Sequence, residues 1–308
     1  MKVLFFGLGS IGQKYYDLLR DNFDYDIFAL RSNYNKGDTI NIQYDSANFL
    51  LCNYYGLLPA SKNLWNWNEV DSIKPDVAII TNPTHLHIET AIKCAERGMH
   101  LFITKPVDCK SDYSFEHLKN IVQTKGLTSH IAYPLRHLPI VQKLKQEKYQ
   151  NSTWKFVCHT NLENWREYQT YSAKYAEGGG VLLELSHELD LATYLLGDVL
   201  KIRGWTYNLP TTTDAEDVAD ITLFHENGNT SFHSLNIASK TEERYFMAGP
   251  DRYEVKVDDS VFLAQLRYFF DNIGEPKIMN SLFEASKLFN LLMEFRDATT
   301  NNNMRQEG

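Results

Sequence analysis

The chain has 308 residues, 43% of them apolar, and a formal charge of -8 from 31 basic and 39 acidic side chains. That length suits about two domains, and an acidic balance without a long basic run argues against a nucleic-acid or anionic-membrane surface. No apolar stretch reaches membrane-span length, no cleavable leader is expected after the first glycines, and the scattered Cys52, Cys94, Cys109 and Cys158 lack metal-ligand spacing, so a reduced cytoplasmic protein without a metal site is expected.

Lys2–Phe6 (KVLFF) reads as a short strand that stops at Gly7. Gly7-Leu8-Gly9-Ser10-Ile11-Gly12 follows, and then a helical pattern carrying Ile11, Tyr15, Leu18 and Leu19 on one face. Strand, glycine-rich turn and helix form the context in which G-x-G-x-x-G binds a dinucleotide. Gly7 permits the tight turn, Gly9 lets the backbone approach a pyrophosphate, and Gly12 lets helix and strand pack closely. The N–H groups around Ser10 and Ile11 then meet the phosphate charge.

Asp26–Leu30 (DIFAL) reads as the second strand and runs into Arg31-Ser32. NAD-binding folds usually place an acid here for the ribose 2′-hydroxyl. An arginine and a hydroxyl suit a 2′-phosphate instead, so NADP is favoured over NAD, with Asp38 and Asp45 as alternative ribose contacts. Residues 33–75 show no clear period. Their aromatics (Tyr34, Tyr44, Tyr54, Tyr55, Trp65, Trp67) are read as packing.

Val77–Ile80 (VAII) is a continuous apolar strand of the kind buried in a parallel sheet. The segment from Thr81 to His87 leads into a helix carrying Ile88, Ala91, Ile92 and Ala95, ended by Gly98. His100–Thr104 is the next strand and ends at Lys105-Pro106, with a helix from Ser114 to Thr124 and a strand from Thr128 to Ala132 beyond. Ligands of open α/β sheets sit at the carboxyl ends of the strands, so Lys105 and the 81–87 segment are placed at a site. A fixed cation there can stabilise a developing alkoxide.

In the second half, Trp165, Arg166, Tyr168, Tyr171 and Lys174 suit a sugar ring bearing an anionic or phosphate group, and equally suit plain packing and surface. Gly178-Gly179-Gly180 gives a flexible lead into a helix where Glu184, His187 and Glu188 share a face, with Asp190 beside them. A histidine among carboxylates is an acid/base group; the competing reading is a capping and salt-bridge cluster. Val218–Phe224 and Thr230–Ile237 are strands joined by an Asn-Gly hairpin, and Arg244–Met247 and Tyr253–Val257 continue the series. A last helix spans Ser281–Phe295, and the polar tail from Thr299 is expected to fray.

Together the GLGSIG turn, Thr81-Asn82-Pro83-Thr84-His85-Leu86-His87, Lys105-Pro106, Ala132-Tyr133-Pro134-Leu135-Arg136-His137 and the 178–190 segment resemble the Gfo/Idh/MocA family (glucose–fructose oxidoreductase and inositol dehydrogenase-like proteins). The resemblance implies an α/β chain with an N-terminal Rossmann doubly wound parallel sheet (1–127) and a C-terminal α+β domain (128–308) on a large, mostly antiparallel sheet. The last helix would pack back on the first domain, and the sheet's open face would make a homo-oligomer. It implies Lys105 at the substrate hydroxyl, His187 as the catalytic histidine with Glu184 or Glu188 as its partner, and Thr81, Asn82, Pro83, His85 and His87 lining the nicotinamide pocket. Arg136 would lie near cofactor or substrate, with Tyr171, Glu188 and Asp190 among the substrate contacts. Two departures stand out. The usual Glu-Lys-Pro has become Thr104-Lys105-Pro106, and His187 follows Glu184 by three residues instead of four. The implied activity is hydride transfer between nicotinamide and a hydroxyl-bearing carbon of a sugar-like substrate, with nucleotide-sugars and acidic sugars suggested by the 178–190 wording. A redox-neutral NAD-dependent glycosidase-like enzyme and a non-catalytic dinucleotide sensor are the alternatives.

Overall fold

The computed structural model describes residues 1–31, 62–161, 171–209 and 213–306; Ser32, Asp38, Asp45, Cys52, Trp165, Arg166 and Tyr168 lie outside them. The first sheet holds six parallel strands: β1 (Lys2–Phe6), β2 (Asp26–Leu30), β3 (Asn63–Leu64), β4 (Val77–Ile80), β5 (His100–Thr104) and β6 (Ser129–Ala132). Their order is β3-β2-β1-β4-β5-β6, the doubly wound order, and the direction of winding reverses between β1 and β4. The strands are buried almost end to end because helices cover both faces. One face packs against Val70, Ile88, Ala91, Phe115 and Leu118, the other against Tyr15, Leu19, Leu266 and Phe269.

The second sheet is mixed and mostly antiparallel. It contains β7 (Thr153–Asn161), β8 (Val199–Tyr207), β9 (Val218–His225), β10 (Thr230–Asn236), β11 (Ala238–Ala248) and β12 (Asp251–Glu254), in the order β12-β11-β7-β10-β9-β8. Only β7 and β10 pair in parallel. The β9–β10 hairpin turns at Gly228 (φ +72), the left-handed position that the Asn-Gly signal requires. Inward residues such as Ile221, Leu223, Leu235 and Phe246 pack on Leu189, Ala192 and Leu195 of a covering helix, and no helix among the described residues packs on the outward face.

Two helices near the C-terminus return to the first sheet. Tyr15 donates its hydroxyl to Gln265 Oε1 (2.8 Å) on the helix Asp259–Asp271. The helix Leu282–Gln306 places Leu282, Phe289 and Met293 in the first core and Leu288 and Leu292 in the second, so it bridges the sheets. It runs past Phe295 and through the tail expected to fray. β6 also follows residue 127 yet completes the first sheet.

Burial holds three histidines neutral: His87 is pushed down to about 4, and His130 and His233 to about 3. The unfolded chain binds these protons near pH 6.5, so their contribution to stability is complete above that pH and is lost as pH falls toward about 4 for His87 and about 3 for His130 and His233. Stability should therefore decline below pH ~6.5 by up to roughly 1.4 kcal/mol per pH unit per histidine. Urea midpoints measured from pH 7.5 to 4.5 test this, and His233→Phe should flatten the slope by one proton. A midpoint that does not move between pH 7 and 5 would contradict it.

Candidate active site

The glycine turn crosses the carboxyl ends of β1 and β4. Gly7 has φ +90, and a Cβ there would lie 2.6 Å from the Asn82 nitrogen. A Cβ on Gly12 would lie 2.5 Å from Gly7 O and 2.6 Å from Thr81 Oγ1, which itself donates to Gly7 O at 2.6 Å. Gly9 is the exception: nothing lies within 4 Å of a Cβ built there. It precedes the helix Ser10–Asn22, whose first N–H groups have no side-chain cap. Open space over a backbone donor cluster is what a pyrophosphate needs, so these residues fit a dinucleotide. Arg31 stands at the same end of the sheet, half-buried, its N–H donating to Leu64 O (2.8 Å).

The loop after β4 meets the loop after β5 at His87. Its Nδ1 lies 2.9 Å from Pro106 O and its Nε2 2.8 Å from Asn82 O, so this buried imidazole sits between the two loops, and the single N–H of the neutral ring donates to one of the two carbonyls. Pro83 and His85 are exposed at the rim. Thr104, standing where the family motif has an acid, donates its hydroxyl to Ile80 O (3.1 Å).

Lys105 projects from the end of β5. Its Nζ donates to Glu184 O (2.8 Å) and to Glu184 Oε2 (3.2 Å), and the two side chains are 17% and 10% exposed. Ser172 donates to the other Glu184 oxygen, and the Glu184 charge, then burial, pushes the nearby Tyr171 hydroxyl up. An ammonium carries three donors, so one remains for a ligand oxygen.

The helix expected to carry Glu184, His187 and Glu188 on one face is broken. Val181–Glu184 and Ser186–Leu196 are separate helices meeting at Leu185 (φ -101, ψ 24). Glu184 consequently turns to Lys105, and Glu188 accepts from Arg244 Nε (2.5 Å) on β11. Neither carboxylate partners His187, which corrects that expectation. The His187 ring stands edge-on to Tyr133 (centroids 5.7 Å). Its Nδ1 is buried without a partner among the described residues, leaving Nε2 as the accessible nitrogen. Burial first, then Lys105 and Arg244, hold His187 well below the usual imidazole pKa. It is therefore neutral at physiological pH and able to accept a proton.

Arg136 and Asp190, expected at the substrate, are 1% and 2% exposed and grip each other in a bidentate pair (2.8 and 2.7 Å); Arg136 also reaches Glu284 (2.5 Å). All their ligating atoms face protein, so they brace the junction instead. The glycine run is not loose either. A Cβ on Gly178 would lie 2.7 Å from Thr84 Cγ2, on Gly179 2.3 Å from Ser172 O, and on Gly180 2.5 Å from the Glu216 carboxylate. Arg296 from the last helix pairs with Glu216 (3.1 Å) and donates to Gly179 O. Sequence reasoning missed Arg244, Ser172, Glu216 and Arg296. For Arg244 there was a signal: it lies two positions before the buried Phe246, on the inward phase of its strand.

The family model described as the oxidoreductase family with NAD-binding Rossmann fold matches residues 1–133, and that of the GFO/IDH/MocA C-terminal domain matches residues 155–261. Levoglucosan dehydrogenase of Pseudarthrobacter phenanthrenivorans is 28% identical over 134 residues, 40% of this chain and 34% of that protein. The 2,7-anhydro-N-acetylneuraminate hydratase of Mediterraneibacter gnavus is 29% identical over 126 residues, 40% of this chain and 33% of that protein. These matches thus span about a third of each relative. The crystal structure of the WlbA dehydrogenase from Bordetella pertussis, in complex with NADH and UDP-GlcNAcA, superposes with a TM-score of 0.77 at 14% identity, covering 98% of this chain and 97% of that one; at that identity the likeness is one of fold.

The neutral state of His187 can be read by NMR titration of its imidazole. The ring should stay unprotonated well below pH 6.5, and Lys105→Met should raise its pKa, because removing a neighbouring cation favours the protonated form. A wild-type titration centred near 6.5 would refute the electrostatic account.

Proposed function

We propose, from the premise that this chain belongs to the Gfo/Idh/MocA family of NAD-binding oxidoreductases, that it transfers hydride between a nicotinamide and a hydroxyl-bearing carbon of a sugar or sugar derivative. The single observation that carries this reading is the placement of the Lys105 ammonium and the neutral His187 at the carboxyl ends of the parallel strands, beside the open glycine turn. The turn (Gly7, Gly9, Ser10, Ile11, Gly12) and the 81–87 loop would hold the dinucleotide, residues 1–127 with β6 forming the cofactor unit and the remainder the substrate unit. When bound, the nicotinamide accepts or gives the hydride.

The chain's own residues move the proton and orient the substrate. In oxidation, His187 Nε2 takes the hydroxyl proton as the carbon loses its hydride and becomes a carbonyl; reduction reverses both transfers. Lys105 gives its third N–H to the same oxygen and stabilises the charge that develops there. Glu184 fixes Lys105 through two acceptors and thereby sets where that donor points. Tyr171 closes the same corner. Arg31 at the end of β2 favours NADP over NAD.

The hydratase relative motivates a second reading in which the same groups work without net redox change. Sugar turnover with no lasting change in nicotinamide absorbance would select it. Self-association is proposed through the open face of the second sheet, where Trp205 (62% exposed), Phe232 (47%) and Tyr207 (41%) share one side. Sedimentation velocity should show an oligomer that Trp205→Glu dissociates; an unchanged particle would exclude this face.

His187→Ala should lower turnover by about 10²–10⁴-fold while NADPH and NADH titrations, followed by fluorescence, stay unchanged. Near-normal turnover by the variant would remove His187 from the mechanism. Arg31→Asp should weaken NADPH and spare NADH; indifference would mean that Arg31 does not read the 2′-position.

A further inference from the structure

We propose that Arg244 is a specificity-determining residue that receives a substrate carboxylate, so that the preferred substrate is an acidic sugar and not its neutral counterpart. This rests on the hydride-transfer reading and adds a substrate class to it. Arg244 lies opposite Cys158 of β7 in register, on the helix-covered face of β11. Its Nε is fixed by Glu188 Oε1 at 2.5 Å. Glu188 is 4% exposed at its side chain and directly follows His187 in the helix Ser186–Leu196, so Arg244 is anchored beside the proton-transfer group.

That anchor engages only one edge of the guanidinium. Arg244 keeps 28% of its side chain exposed, and its two Nη groups make no hydrogen bond among the described residues. A planar fork held at Nε and open at its Nη end is prepared for bidentate contact with a carboxylate. Its electrostatic surroundings agree: the charges that act on His187 are the two cations, Lys105 and Arg244. An anion bound to Arg244 would offset that field. A structural role alone, neutralising buried Glu188, would be met by the Nε contact and would not distinguish acidic from neutral ligands.

The test uses the full chain saturated with whichever reduced dinucleotide it binds, following bound-nicotinamide fluorescence. D-glucuronate, D-galacturonate and D-gluconate are titrated against D-glucose, D-galactose, D-glucitol and glucose 6-phosphate. At least one acid should bind about tenfold or more tightly than its neutral match, as a charge-assisted pair implies. Arg244→Gln should abolish that preference while leaving dinucleotide affinity within about twofold, and Arg244→Lys should keep part of it. Equal affinity for acid and neutral, preference for the phosphate, no acid binding to the cofactor-loaded protein, or an acid preference that survives Arg244→Gln would each overturn the proposal. The wild-type comparison decides even where the variants fail to fold. Failure of the wild-type chain to bind either dinucleotide is the distinct result that overturns the hydride-transfer reading, and this inference with it.

Discussion

The contact on which the rest depends is the pairing of the Lys105 ammonium with Glu184. Lys105 is delivered by the first sheet and Glu184 by a one-turn helix in the second half, 79 residues away in sequence. Two acceptors from one residue, a carbonyl and a carboxylate oxygen, fix the ammonium in direction as well as distance. The helix that supplies them is itself held by the glycine run, where Gly178 abuts Thr84, Gly179 abuts Ser172 and Gly180 abuts Glu216. Arg296, on the last helix, closes this chain of contacts at Gly179 O. Arg296 and Glu216 are almost wholly buried (1% and 6% exposed side chains), and removing one partner of such a pair costs about 3–5 kcal/mol. The position of the Lys105 ammonium thus depends on packing contributed by nearly the last residues described.

Charge is distributed at the site so that each cation has its own carboxylate. Lys105 has Glu184, Arg244 has Glu188, and Arg136, at the junction beside the site, has Asp190 and Glu284. His187 has none. Had a carboxylate engaged its Nδ1, the imidazole would have been drawn toward the protonated form. Burial first, and then two nearby cations with the carboxylates turned away, keep it neutral. The break at Leu185 is what separates Glu184 from Glu188 and sends them to different partners.

The first sheet was legible because its signals are local. Continuous apolar strands, a glycine turn and helices of period 3.6 set β1, β2, β4, β5 and β6 within a residue of their observed limits. The second sheet was partly legible: β9 and β10 alternate cleanly around Asn227-Gly228, whereas neither β7 nor β8 is read as a strand, β8 because as an edge strand it is exposed along most of its length. At the site, residue types were readable and partnerships were not. Lys105, Glu184 and His187 do converge on one region, yet nothing local announces the break at Leu185, which lacks glycine or proline. Ion pairs spanning 54 residues (Arg136–Asp190) and 56 residues (Glu188–Arg244) leave no trace in spacing. The sequence alone therefore puts Arg136 and Asp190 among the ligand contacts and gives Arg244 no role.

The three consecutive glycines show the same limit from another side. As sequence they suggest looseness, since glycine has the widest conformational freedom. In the fold, Gly178 and Gly180 take φ of +95 and +105, and all three positions have atoms within 3 Å of where a side chain would begin. They are glycine because the Thr84 side chain, the backbone at Ser172 and the Glu216 carboxylate pass too close for anything larger. Proximity of that kind removes freedom instead of granting it. A segment so tightly enclosed cannot drift, and Glu184, four residues on, inherits its fixed position. Electrostatic stabilisation of a developing charge works best when the stabilising group need not reorganise as the reaction proceeds. By that argument the glycines contribute to the site through rigidity, and the ammonium they indirectly hold is in place before any substrate arrives.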